Sequence, residues 1–301
     1  MSTNIKYTKP TVVAEHCCNH MGDLDLAKKM VKTAADCGAT YAKFQKWEPS
    51  VALSESQYNA PHPNSSHSFG EPYGIHRKNL EFTAEQHVEL QQFSEDHGIK
   101  YCSSVFDKVS AEIIIKLAPD FIKIPSQKNL KLDMYDPICA DFGGDIHISS
   151  GMTTGEQMEF LLEELDKRNA LSRVVLYTTT SHYPCAHENL FLLRISKFRE
   201  MYADKVKGFG FSGHHNGIAA DVAAYTLGAS YVERHFTLDR TMKGTDHAAS
   251  LEPQGLSKLV RDLHNVHDAL KTRPEKILDV EMEAFNKVKK SDWDALLANR
   301  S

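Results

Sequence analysis

A closed (β/α)8 barrel of the TIM type, with a long loop after the second strand and a short C-terminal helical extension, is the fold class that the sequence predicts. Three observations lead to it. Eight short apolar runs alternate with helical segments, the pattern of parallel strand-helix-strand units. A chain of 301 residues is long enough for a barrel, for which roughly 250 is typical. No glycine-rich phosphate fingerprint follows the first strand, which counts against the alternative of an open doubly wound sheet.

Taken in order, Thr11 to Cys17 is the first apolar run, with Glu15 near its end and Asn19, His20 and Gly22 beyond it. Asp23 to Cys37 carries Leu24, Leu26, Ala27, Met30, Val31, Ala34 and Ala35 on a helical stripe that Gly38 stops. Tyr41 to Gln45 is the second strand. Lys43 lies inside it between apolar neighbours, where an ammonium is costly unless it meets an anion. From Lys46 to Leu80 periodicity is lost amid Pro, Ser, Asn, His and Gly, and a loop of that length at a barrel rim reads as a substrate cover.

Thr83 and Gln86 form a capping-box start for a helix running to His97 and ending at Gly98. Lys100 to Val105 is the third strand, Ser110 to Leu117 a short helix, and Phe121 to Ser126 the fourth strand, again with an interior lysine, Lys123. Asp145 to Ser150 is the fifth strand, Gly155 to Lys167 a helix, Arg173 to Thr180 the sixth strand and Asn189 to Tyr202 a helix. Val206 to Phe211 and Ala229 to Phe236 are the last two strands, joined by a helix over Gly217 to Leu227. Leu256 to Leu270 closes the barrel. The domain reading is a barrel over 1–272 and an extension over 273–301 with one helix in Val280 to Val288.

Composition narrows the function. Hydrophobic content of 41% with 25% charged residues is that of an ordinary globular chain. A net charge of -5 without a long basic run argues against nucleic acid. No apolar run approaches the roughly 18 residues of a membrane span, and the N-terminus MSTNIKYTKP lacks a signal-peptide pattern. The six cysteines, Cys17, Cys18, Cys37, Cys102, Cys139 and Cys185, form no C-x-x-C pair, so free thiols in a reducing cytoplasm are expected. For the adjacent Cys17 and Cys18, burial and a ligand or redox role both stay open.

Parallel strands end at one rim, so His214 and His235, which follow the seventh and eighth strands, converge there as a candidate divalent-metal pair. Simple hydrogen bonding at loops is the other reading of those histidines. Ser212, His215, Glu233, Arg234, Lys243, Asp246 and His247 crowd around them. Glu15, Lys43, Lys123, Ser126, Ser150 and Ser212 also fall at strand ends, the face that carries chemistry in barrel enzymes. Two buried ammonium groups with serine hydroxyls suit a small, multiply charged anion such as a phosphorylated carboxylate.

The motifs AEHCCNHMGDLDLAKKM, YAKFQ, FIKIPS, ISSGM, HYP, GFSGHH, GASYVERHFTLDR and KGTDHAASLEP together resemble the catalytic domain of the sialic acid (N-acetylneuraminate) synthases, which include legionaminate and pseudaminate synthases. The likeness covers about residues 10 to 270. It implies a barrel that condenses phosphoenolpyruvate with the open-chain aldehyde of an N-acylated hexosamine, with His214 and His235 holding Mn2+ or Mg2+. Lys43, Lys123, Ser126, Ser149 or Ser150, and Ser212 would hold phosphoenolpyruvate. Glu15, Gln45, Tyr183 and Asp246 would face metal-bound water or the sugar.

Departures from the family pattern concentrate on the sugar side. Gly213 stands in place of an aspartate, Lys128 of a glutamate and Ser181 of an asparagine, and the family's C-terminal antifreeze-like domain is not in this sequence. The expectation is therefore phosphoenolpyruvate-dependent condensation with an acceptor that need not be N-acetylmannosamine, Lys128 favouring an anionic or phosphorylated one. A homodimer is the assembly that the resemblance implies, and whether a separate accessory chain replaces the absent domain stays open. A non-catalytic sugar- or protein-binding barrel and a metal-dependent aldolase that does not use phosphoenolpyruvate remain the alternatives.

Overall fold

The computed structural model describes residues 5–299; the first four residues of the N-terminal stretch and the last two of the extension lie outside it. Eight strands close into a barrel in sequence order: Thr11–Glu15 (β1), Tyr41–Lys46 (β2), Lys100–Val105 (β3), Phe121–Ile124 (β4), Asp145–Ser149 (β5), Val174–Thr179 (β6), Gly208–Gly213 (β7) and Tyr231–His235 (β8). All neighbours are parallel, and β8 pairs with β1 through Glu15 opposite His235. Every strand therefore ends at one rim. The described residues divide into two compact units between His267 and Asp268. No described helix is long and apolar enough to cross a membrane.

Side chains alternate between the two faces of each strand. The outward set, including Ile122, Ile124, Ile146, Ile148, Val174 and Leu176, packs under the helices against Ile114, Ile138, Leu161 and Leu165. The inward set at the N-terminal end of the barrel is an apolar and aromatic plug. Val13, Tyr41, Cys102 and Phe121 cluster there, Phe121 stacks on His147 at 3.7 Å between ring centres, and His147 lies 3.0 Å from the Tyr177 hydroxyl. Moving up each strand by two residues replaces this plug with charge. Tyr41 gives way to Lys43, Phe121 to Lys123, and Tyr231 to Glu233.

Several elements differ from the sequence reading. The segment 46–80 is not structureless: it folds into the helices Pro49–Ala52, Glu55–Asn59 and Tyr73–Leu80, with a 3-10 turn at Ser65–His67. Ser54 and Gln57 form a capping box there, too short a signal to raise helical periodicity. Two further helices, Tyr135–Asp141 and Lys290–Ala298, were not anticipated. The helix expected from Asn189 starts at Leu193, because Phe191 has a φ of 47°, in the left-handed region, and breaks the turn before it. The capping box of Thr83 and Gln86 is present, on a helix spanning Ala84–Asp96.

Candidate active site

The rim holds a cavity of about 410 Å3, within the range of small-molecule sites. Its floor is built by strand parity. Glu15, Lys43, Lys123, Ser212 and Glu233 are nearly fully buried and come from five staves. Lys43 forms an ion pair with Glu15 and hydrogen bonds to Ser104 Oγ at 2.7 Å, with Glu233 3.5 Å away. Lys123 Nζ donates to Glu233 Oε2 at 2.7 Å and lies 3.9 Å from the centre of the Tyr177 ring. Ser212 donates to Glu233 at 3.2 Å, and Gln45 donates to Glu15 at 2.8 Å.

Glu233 is thus the bridge between both lysines, a role the sequence reading did not give it. The signal was available: Glu233 precedes His235 by two, so the two share the inward face. The lysines were expected to find their counter-charge in a bound anion, and the chain itself supplies two carboxylates. Burial pushes the Glu15 carboxyl up, against the pull of Lys43. Burial opposes the charge on Glu233, but the two ammonium groups outweigh it and hold that carboxyl well below the usual range. Burial also opposes the Lys43 ammonium, and Glu15 and Glu233 outweigh it, so Lys43 stays charged. Lys123, with one carboxylate partner and an aromatic face, is left easier to deprotonate than an ordinary lysine, chiefly by burial.

One wall is lined with hydroxyls. Ser126, Ser149 and Ser181 face the cavity. The Gly151 amide donates to Ser126 Oγ at 3.0 Å, and a Cβ on Gly151 would lie 2.5 Å from Ser181 Oγ and 2.6 Å from Ser126 Oγ. Glycine is therefore what leaves room for this cradle. Ser150 does not join it. By parity it faces away from the cavity that Ser149 lines, and its hydroxyl is buried without a partner among the described residues. Lys128 also stays out: its ammonium donates to the Ala52 carbonyl at 2.7 Å, and Gln127 takes the place on the cavity wall. Lys128 thus lies off the cavity wall on which the acceptor contact was expected of it.

The segment after β2 forms the opposite wall. Trp47, Tyr73 and Arg77 line the cavity, with Trp47 stacked on Phe106 at 4.0 Å and the Arg77 guanidinium 4.2 Å from the Trp47 ring centre. Glu81 pins both ends of this segment, accepting from the Trp47 amide at 2.8 Å and from Arg77 at 3.1 Å.

His214 and His235 meet at the rim with ring centres 4.9 Å apart, and the Tyr183 ring lies 4.1 Å from the first and 5.5 Å from the second. His214 Nδ1 donates to the Thr180 carbonyl at 2.9 Å, which leaves Nε2 with its lone pair. Burial lowers His214 to about 4 and His235 well below its ordinary value, so both imidazoles are neutral, the ligating form. His235 Nδ1 is buried without a partner among the described residues. One ligand atom each from Cys17, His235 and Asp246 lies within 4.8 Å of the others. The donor set fits a divalent cation, and Cys17 is the member not assigned beforehand.

Outside the cavity, a buried cluster ties the two histidine-bearing strands together. Arg234, facing away from the barrel interior, bonds to Asp221, to the His215 carbonyl at 2.5 Å and to the Gly217 carbonyl at 2.8 Å. At Gly213 a Cβ would stand 2.7 Å from the Phe211 ring and 2.8 Å from His215, so a larger residue there has no room.

The NeuB family model matches residues 30–275. The chain is 38% identical over 280 residues to a human N-acetylneuraminate-9-phosphate synthase, spanning 93% of this chain and 76% of that one. It is 32% identical to an N,N'-diacetyllegionaminic acid synthase of Campylobacter jejuni, spanning 94% and 84% of the two chains. In fold it is similar to a sialic acid synthetase of Leptospira borgpetersenii, with a TM-score of 0.77, 24% identity, and 96% and 97% of the two chains covered.

Proposed function

Because the chain belongs to the NeuB family, we propose that it condenses phosphoenolpyruvate with an N-acylated hexosamine of the mannosamine type, giving a sialic-acid-like 2-keto-3-deoxy sugar acid and phosphate. The observation that carries this reading is the convergence of Lys43, Lys123, Glu233, Ser212, His214 and His235 on one cavity. Phosphoenolpyruvate would lie on the floor, its anionic groups toward Lys123 and the cradle of Ser126, Ser149 and Ser181. Lys43 already meets Glu15, Ser104 and Glu233, so Lys123 has more N–H capacity free for substrate.

In the reaction, C3 of phosphoenolpyruvate forms a bond to the aldehyde carbon. Water adds at C2, the C2–O bond to phosphorus breaks, and the two protons of that water end on the new hydroxyl and the departing phosphate. A divalent ion held by His214 and His235 would supply Lewis-acid polarisation of the aldehyde oxygen. Glu15, raised by burial, is suited to hold and return a proton beside the floor. Tyr183 and Gln45 would orient the acceptor, with Trp47, Tyr73 and Arg77 excluding water above it. Six free cysteines fit a reducing compartment, and a cytoplasmic location is the corresponding reading.

The test is incubation of purified protein with phosphoenolpyruvate, divalent metals, and a panel that includes N-acetylmannosamine, its 6-phosphate and related hexosamines. Phosphate and 2-keto acid should appear in equal amounts with at least one acceptor. No phosphate with any acceptor and metal would overturn the reading. Aldol products formed without phosphoenolpyruvate would replace it with an aldolase.

A further inference from the structure

We propose that Cys17 is a ligand of the rim cation, its thiolate joining the His235 imidazole and the Asp246 carboxylate, so that the centre prefers a thiophilic ion such as zinc or cobalt. The inference rests on reading the rim as a metal centre and goes beyond it in naming a sulfur ligand and the metal class it selects.

Three elements bring the donors together. Cys17 lies in the turn after β1, His235 ends β8, and Asp246 lies in the loop beyond, yet one ligand atom from each falls within 4.8 Å of the other two. His235 is 7% exposed, and its Nδ1 meets no partner among the described residues. A buried imidazole with an unpartnered nitrogen, grouped with a thiol and a carboxylate, is an incomplete arrangement that a cation completes.

The backbone singles out Cys17. Its φ of 51° is left-handed, a conformation that disfavours any side chain and suits glycine, yet a buried thiol stands there, 1% exposed. The adjacent Cys18 accepts from Arg77 Nη1 at 3.2 Å and its thiol lies 3.8 Å from Asp246 Oδ2, but its sulfur is not grouped with His235 among the described residues. Cys17 Sγ makes a 3.6 Å contact to the carbonyl of Glu15 and hydrogen bonds to the Asp246 carboxylate. Metal binding would break these contacts, form the metal-sulfur bond and release the thiol proton to solvent.

Ligand type decides the metal. Magnesium and manganese prefer oxygen donors, whereas thiolate with imidazole selects ions of the zinc and cobalt kind. Imidazole and carboxylate donors alone would take manganese readily; adding sulfur moves the preference.

Chelator-treated protein titrated with cobalt(II) tests this by absorption. One cobalt per chain should bind with a near-ultraviolet sulfur-to-cobalt charge-transfer band in the unaltered protein and in Cys18→Ser. Cys17→Ser should bind cobalt without that band. Cys17→Gly, which suits the left-handed backbone, gives the same readout should the serine variant fail to fold. In competition, zinc should outbind manganese by more than tenfold, and the ratio should fall in the Cys17 variants. Stoichiometric cobalt without the band, or a band that persists in both Cys17 variants, overturns the sulfur ligand and leaves the metal centre standing. Absence of any stoichiometric cobalt removes the metal centre and this inference together.

Discussion

Replacing Glu233 by glutamine removes one negative charge and almost no volume from the floor of the cavity. The carboxylate lies 2.7 Å from Lys123 and 3.5 Å from Lys43, both nearly fully buried. At an effective dielectric constant of about 20, those separations correspond to gross attractions of roughly 6 and 5 kcal/mol. Much of this offsets the loss of hydration, so the net effect is better judged from buried pairs that lose one partner, which destabilise by about 3–5 kcal/mol. With a urea slope of about 3 kcal/mol per M, the unfolding midpoint of Glu233→Gln should fall by about 1–2 M. Phosphoenolpyruvate should restore more of that loss in the variant than it adds to the unaltered protein, because its charge meets the same ammonium groups. An unchanged midpoint would show that Glu233 does not hold the two lysines, and the electrostatic account of the floor would be wrong.

Acid should destabilise the fold well above the carboxylate range. Burial lowers His16 to about 4, and His20 and His87 to about 3, from an ordinary value of 6.5, so the unfolded chain binds more protons through that window. Stability is then full above about pH 6.5 and falls as the pH drops, by up to about 1.4 kcal/mol per pH unit for each histidine. Glu233, depressed below its ordinary 4.5, adds a loss of the same sign at lower pH still. Urea midpoints at pH 7.5, 6 and 5 check this, and a flat profile would contradict it. Gly22→Ala should lower Tm by at least about 2–4 °C, because a Cβ there would stand 2.3 Å from the Asn79 carbonyl oxygen at a φ of 77°. Melting like the unaltered protein would mean that the β1 turn does not seat the cover segment. Lys123→Met should raise the phosphoenolpyruvate KM roughly 10- to 100-fold, the loss of a charged hydrogen bond, while Lys128→Met should leave it within about twofold. Equal effects of the two would put Lys128 back on the cavity wall.

Much of this architecture was legible because strand parity and strand direction are local properties. Once β2 and β4 are read as strands, Lys43 and Lys123 have to be inside or outside, and the parallel sense of the sheet sends His214 and His235 to one rim. What was not legible is pairing across the barrel. Lys123 and Glu233 are 110 residues apart, and only the closed register brings them to 2.7 Å. Glu233 falls inside the eighth strand as read, but Arg234 and His235 beside it are polar too, so polarity alone does not tell which of them faces in. The polar run splits by parity, Glu233 and His235 inward and Arg234 outward onto Asp221. The same alternation puts Ser149 in the cavity and leaves Ser150 out of it. The helices of the cover segment escaped notice because they are short and are held by the cap at Ser54 and by Glu81 rather than by an apolar stripe. Cys17 could not be separated from Cys18 until the turn after β1 grouped its sulfur with both His235 and Asp246, whereas Cys18 reaches Asp246 alone of the two.

The most direct test of the proposed chemistry follows one oxygen atom. Phosphoenolpyruvate labelled with oxygen-18 in the C2–O–P bridge should, with a productive acceptor, release phosphate that carries the label, because water adds at C2 and the carbon-oxygen bond breaks. Unlabelled phosphate, with the heavy oxygen kept in the keto acid or in pyruvate, would mean attack at phosphorus and would contradict a carbon-carbon condensation on this floor of lysines and carboxylates.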